Sequence, residues 1–164
     1  MRKIIYADNA ATTHLDPDAY AAMQPYLCDE YGNASGLYSF AHNPKKAISN
    51  ARTIIASCIG ANVDEIYFTS GGTEGDNWAI KGFALKNHNI GKHIITSAIE
   101  HHAVLKSCSF LEELDFNVSY LPVDQNGTIL PNSLQNALRP DTILVSIMLA
   151  NNEVGTIQRI NELA

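Results

Sequence analysis

Apolar positions along this chain change their spacing several times, and each change marks an element. Over residues 44–59, Ala47, Ile48, Ala51, Ile54, Ile55 and Cys58 recur at three- and four-residue intervals. That is the period of one helix face, and Gly60 follows as a stop. Residues 16–28 carry a second helical pattern, opened by Asp16 as cap and Pro17 in the first turn. The stretch 29–43 between them is rich in Gly, Asn and Ser and reads as a loop. From residue 65 onward, short apolar runs alternate with helical ones. The predicted order is strand 65–69, helix 73–88, strand 92–96, helix 101–114, strand 117–121, helix 131–138 and strand 142–148. Such alternation predicts βαβ units, hence an α/β fold with a mainly parallel sheet and helices on its faces. The longest apolar run, Ile143 to Ala150, reads as a buried strand.

Composition narrows the function classes. A chain of 164 residues that is 46% hydrophobic suits one domain with a real core. The formal net charge is -6, and the densest basic stretch, Lys45-Lys46 with Arg52, falls at the spacing of a solvated helix face. A nucleic-acid partner is therefore not expected. No apolar run approaches a membrane span, so no membrane association is expected. Asp8 interrupts the basic and apolar start at Met1–Tyr6, so no export signal is expected and the cytoplasm is the expected location. The cysteines Cys28, Cys58 and Cys108 are odd in number and widely spaced, which supports neither a disulfide framework nor a zinc site. Cys58 and Cys108 both fall at helical spacing and are expected in the core.

In doubly wound sheets, ligands gather beyond the C-terminal ends of the strands, so the residues after each strand matter most. After the first predicted strand comes Thr69-Ser70-Gly71-Gly72-Thr73-Glu74. Its glycines allow close backbone approach, and a helix follows whose free N–H groups suit a phosphate, with the Thr73 hydroxyl as an extra donor. A plain capping turn, with Ser70 as cap or Thr73-x-x-Asp76 as a box, competes with that reading. The run matches neither dinucleotide nor P-loop fingerprints. After the second strand, Glu100-His101-His102 places an imidazole at a helix start. It is either a structural hydrogen-bonder or a flat ring able to stack on a ligand or move a proton. Adjacent His101 and His102 project in different directions and no H-E-x-x-H occurs, so no metal site is expected. After the last strand, Asn151 and Asn152 could form a turn or donate to a ligand's ring oxygen. A phosphate cradle, a flat imidazole and an amide at one sheet edge are what an aromatic phosphate cofactor requires.

Four spaced motifs now carry a resemblance. Asp8-Asn9-Ala10-Ala11-Thr12-Thr13, the Phe68–Glu74 turn, Glu100-His101 and Ala150-Asn151-Asn152-Glu153-Val154-Gly155-Thr156-Ile157-Gln158 resemble the cysteine desulfurases. These belong to the class V aminotransferase group of pyridoxal-phosphate (PLP) enzymes, fold type I. The likeness runs over the whole chain and departs at Tyr38, at Leu149 and at Gly75-Asp76. It implies part of a three-layer PLP-binding large domain over residues 16–164, with residues 1–15 packing on a small domain in full-length relatives. It implies that Gly72 and Thr73 hold the PLP phosphate, that His101 stacks on the pyridine ring with a further acid/base role open to it, and that Asn152 bonds the ring hydroxyl oxygen. The reaction implied takes sulfur from L-cysteine, leaving alanine and an enzyme persulfide for iron–sulfur or thio-modification pathways. The implied partners are a sulfur-acceptor protein and, for the full-length enzyme, a second copy of itself.

Relatives run to more than twice this length. The cofactor-bearing lysine and the catalytic cysteine are expected after Ala164, since Lys81, Lys86, Lys92, Lys106 and the three cysteines do not match those positions. The chain alone is therefore expected to be inactive, with weak or absent PLP binding. An unprotected sheet edge is expected to make it marginally stable or self-associating. Selenocysteine lyases and serine–glyoxylate aminotransferases would use the same residue set. A non-catalytic or split-gene product needing a partner chain is the other alternative.

Overall fold

The computed structural model describes residues 4–164. It divides into two compact units, one ending at Phe68 and the other spanning Thr69–Ala164.

The first unit holds two helices. Helix α1 (Pro17–Cys28) starts as its sequence predicts, with the Asp16 carboxylate accepting from the N–H groups of Asp18 at 2.9 Å and Ala19 at 3.2 Å. Helix α2 (His42–Ile59) follows a 3-10 turn at Ser39–Ala41 and ends at Gly60, whose φ of 68° lies in the left-handed region that glycine enters freely. The apolar stripe of α2 is not the core expected of it. Only Pro44 and Ala56 are buried, while Ile54 is 63% exposed and Cys58 is exposed. Helical periodicity marks a face but not its cover: within this unit Ala47, Ile48 and Ala51 line an apolar groove with Ala22, Met23 and Tyr26 of α1 rather than a closed core. The strand expected at 65–69 is also absent. Val63–Glu65 form a 3-10 turn, and the extended segment after it finds no strand partner among the described residues. Arg52 holds that segment instead, donating through Nε to the Ile66 carbonyl at 3.0 Å with its guanidinium over the Phe68 ring.

The second unit is the α/β body. Its elements are α3 (Gly72–Asn87), β1 (His93–Ser97), α4 (His102–Glu112), β2 (Asn117–Leu121), α5 (Pro131–Ala137), β3 (Thr142–Ser146) and the short α6 (Ile160–Leu163). The three strands are parallel in the order β2-β1-β3. Because successive side chains on a strand face opposite ways, Ile94 and Ile95 serve different cores. Ile94 packs with Ile80 and Ala84 of α3 and with Val104, Cys108 and Leu111 of α4. Ile95 packs with Leu121, Ile129 and Leu134, and Leu163 of α6 lies against this second cluster. Helices on both faces of a parallel sheet make the three layers that the sequence implied. All five residues of β1 are buried, because it alone has a strand on each side. β3 is only half-buried and ends at Ser146, so the expectation of a buried strand out to Ala150 is corrected to a short strand followed by a polar turn. At the N-terminal edge of the sheet, Gly91 is required by packing, since a Cβ there would collide with the Asp141 carbonyl.

Two buried polar groups belong to this body rather than to any site. Cys108 has no exposed surface, and burial, reinforced by the charges of Glu112 and Glu100, pushes its thiol up to about 11. The His93 imidazole, also fully buried, spans the sheet. Its Nδ1 lies 2.7 Å from Thr142 Oγ1 on β3, and its Nε2 lies 2.8 Å from Ser119 Oγ on β2.

Candidate functional site

The three loops leaving the C-terminal ends of the strands are laced together by buried side chains. The Glu100 carboxylate, 7% exposed, accepts from the Ser97 hydroxyl at 2.6 Å and from the Met148 N–H at 2.9 Å. One oxygen thus joins the loop after β1 to the loop after β3. Asn151 makes a second tie, its Nδ2 donating to the Ile99 carbonyl at 3.0 Å. Its Oδ1 accepts from the N–H groups of Glu153 and Val154, both at 2.9 Å. This closes a side-chain turn of the kind asparagine favours. The backbone completes a small hairpin, with Asn151 N–H donating to the Thr156 carbonyl and Gln158 N–H to the Leu149 carbonyl. On the far side, buried Gln158 donates to the Gly127 carbonyl at 2.6 Å and accepts from the Ile129 N–H at 2.9 Å. That ties in the loop after β2. Asp124 shapes the same loop by accepting from the Asn126 and Thr128 N–H groups, which hold its carboxyl below the usual carboxylate range.

Between the first and last of these loops lies a cleft of about 340 Å³, lined by Ile99, His101, His102, Leu105, Asn152 and Val154 among others. His101 caps α4, its Nδ1 accepting the Ala103 N–H at 3.1 Å. That bond needs the Nδ1 lone pair, so in the neutral ring the proton sits on Nε2. The His101 and His102 ring centroids stand 6.4 Å apart at 59°, and no His/Cys/Asp/Glu cluster suited to a metal occurs among the described residues. The asparagine pair divides its labour. Asn151 builds the turn, while Asn152 is exposed in the lining and takes no part in the bonds just described.

Of the four site residues expected from sequence, the cleft brings together His101 and Asn152, while Gly72 and Thr73 lie outside its lining. Both of these stand exposed in the first turn of α3. α3 leads into β1 and packs beside α4, so that first turn lies toward the edge where β1 ends. The residue capping α3 is Gly71, extended at φ 159° and ψ −179° and without any side-chain capping bond, so neither Ser70 nor Thr73-x-x-Asp76 is the cap. Instead Glu74 turns back to accept the Ser70 N–H at 2.6 Å and the Ser70 hydroxyl at 2.7 Å, which hold its carboxyl below the usual range. The N–H groups of Gly72 and Thr73, at a helix start, have no intrahelical acceptor. A Cβ added at Gly71 or Gly72 would meet nothing within 4 Å, so the space above them is open. The donor set fits PLP: amides and a hydroxyl for a phosphate, a flat imidazole for a ring, an amide for a ring oxygen.

The cleft lining contains neither lysine nor cysteine among the described residues. Lys81 and Lys92 are engaged elsewhere, their ammonium groups over the rings of Phe110 and Phe116 at 4.4 and 5.8 Å. Of the turn and donor alternatives offered for Asn151 the structure takes the turn, while sequence reasoning missed Glu100 and Gln158 as builders of the site. Their one available signal was a polar residue standing where a strand gives way to a loop.

A family model described as aminotransferase class-V matches residues 5–164. The chain is 55% identical over 161 residues to a cysteine desulfurase IscS of Methanosarcina thermophila, covering 98% of this chain and 40% of that protein. It thus spans about 40% of the length of the curated relatives it matches. A solved structure of a NifS-like protein superposes with a TM-score of 0.91 at 38% identity, over 95% of this chain and 43% of that one. The structure of SspA in complex with cysteine superposes with a TM-score of 0.90 at 41% identity, over 96% of this chain and 46% of that one.

Proposed function

The chain belongs to the aminotransferase class-V family, and from that premise we propose that it supplies the cofactor-binding portion of a PLP-dependent cysteine desulfurase. One observation carries the reading: a single cleft at the C-terminal edge of the sheet, lined by the His101 imidazole and the Asn152 amide. His101 presents a ring that its cap bond to Ala103 holds in one tautomer. Asn152 presents an amide donor for a ring oxygen. Gly72 and Thr73, at the positive end of α3, take the phosphate. When bound, PLP supplies an electron sink for bonds at the substrate's α-carbon. The substrate proposed is L-cysteine, its sulfur passing to an enzyme cysteine and from there to an acceptor protein. In this reading the N-terminal segment, whose residues 1–3 lie outside the described residues, packs on a small domain in the full-length enzyme.

Among the described residues the cleft lining has no lysine to bond the cofactor and no cysteine to take the sulfur, so on this reading the 164-residue chain does not turn over by itself. Nor does Cys108 substitute, because its buried thiol stays protonated at neutral pH. The test compares this chain with the intact polypeptide isolated from its source, each given PLP and L-cysteine. The intact polypeptide is expected to form alanine with a protein-bound persulfide, and the 164-residue chain neither. Alanine production by the short chain, or a keto acid in place of alanine from the intact one, refutes the proposal.

A further inference from the structure

His101 and Asn152 sit on different loops, and the chain between them runs through α4, β2, α5 and β3. Two loops at a sheet edge can shift relative to one another unless something couples them. Here two buried side chains do so. Glu100, next to His101, reaches the Met148 N–H, and Asn151, next to Asn152, reaches the Ile99 carbonyl. The ties run in opposite directions, each anchored one residue from the group that faces the cleft. Both are buried, where a hydrogen bond is not exchanged for one to water, so the coupling is stiff.

We propose that Glu100 and Asn151 are positioning residues, a reciprocal pair of inter-loop ties that sets the spacing between the His101 ring and the Asn152 amide and so matches the cleft to the width of a planar ring. The inference rests on the PLP reading only for what enters the cleft. The spacing itself belongs to this chain.

Asn151→Asp separates the two duties of that side chain. The carboxylate still accepts from Glu153 and Val154 N–H, but it faces the Ile99 carbonyl with oxygen in place of a donor. Glu100→Gln keeps an oxygen for Ser97 and Met148, whereas Glu100→Ala removes it. The experiment uses the full chain, isotope-labelled for NMR, with PLP and inorganic phosphate as separate probes. In the wild type, His101 and Asn152 side chains are expected to give one set of signals. Asn151→Asp is expected to broaden or split both sets, while the Glu153 and Val154 amides stay protected from exchange. Its affinity for PLP is expected to fall about tenfold, the effect of one lost hydrogen bond, with phosphate shifts at Gly72 and Thr73 unchanged. Glu100→Ala is expected to behave alike, and Glu100→Gln like the wild type.

Unchanged His101 and Asn152 signals in Asn151→Asp, with the turn still protected, overturn the proposal. So does a loss of protection that reaches Ile95 in the core, because the residue is then merely structural. If Asn151→Asp splits the signals while neither the wild-type chain nor the intact polypeptide responds to PLP, the cofactor reading is overturned and the ties stand.

Discussion

Replacing His93 with Phe tests how the sheet is held at the edge opposite the cleft. The imidazole has no exposed surface and joins β1 to both neighbours through Ser119 and Thr142. Phe keeps a planar ring, somewhat larger than the imidazole, and removes both bonds. Each is worth about 1 kcal/mol net, and the stranded Ser119 hydroxyl adds a further penalty, so the expected loss is about 2–3 kcal/mol near neutral pH. Thr142 is less affected, since its Oγ1 keeps the Arg139 N–H at 2.9 Å. The histidine also gives the loss a pH signature. Burial, aided by the charge of Arg139 and opposed by that of Asp141, lowers the His93 pKa in the folded state. Unfolded, it titrates near 6.5, so as pH falls below that value the unfolded state binds the proton first. The wild type then loses stability by at most about 1.4 kcal/mol per pH unit until the folded pKa is reached. His93→Phe has no such term, so the gap between the two narrows on acidification. Urea unfolding followed by fluorescence is suitable, because the single tryptophan, Trp78, lies on α3 in the same unit as the sheet. A gap that stays constant between about pH 7.5 and pH 5.5, or one below about 0.5 kcal/mol at the upper end, would refute the reasoning.

Two further outcomes follow from the core. Leu111→Ala removes a fully buried side chain from the cluster between the sheet and the α3–α4 layer, and is expected to cost about 3–5 kcal/mol in the same unfolding assay. A loss under about 1 kcal/mol would mean that this cluster is not packed as described. Thiol labelling of the native chain near neutral pH should modify Cys28 and Cys58 and spare Cys108, with all three reacting in denaturant. Native labelling of Cys108 at the rate of the other two would contradict its burial.

Periodicity alone was enough to place most of the elements. Asp16-Pro17 and Gly60 mark the ends of α1 and α2 because capping is local chemistry, settled by residues within one turn. The alternation of strand and helix from residue 92 onward specified a parallel, helix-covered sheet for the same kind of reason: side-chain period states how many faces an element buries. His101 and Asn152 were visible because they follow strands, and strand ends are where such folds place ligands. What periodicity does not carry is the partner. Ile66-Tyr67-Phe68 has strand composition, yet forms none among the described residues, since a strand exists only beside another strand. The stripe on α2 reads as core and lies exposed. The order β2-β1-β3 and the ties through His93, Glu100, Asn151 and Gln158 join residues far apart in sequence. A buried polar residue and a surface one are written with the same letter, and only the tertiary structure, by deciding which groups lose their water, determines which of them must find each other.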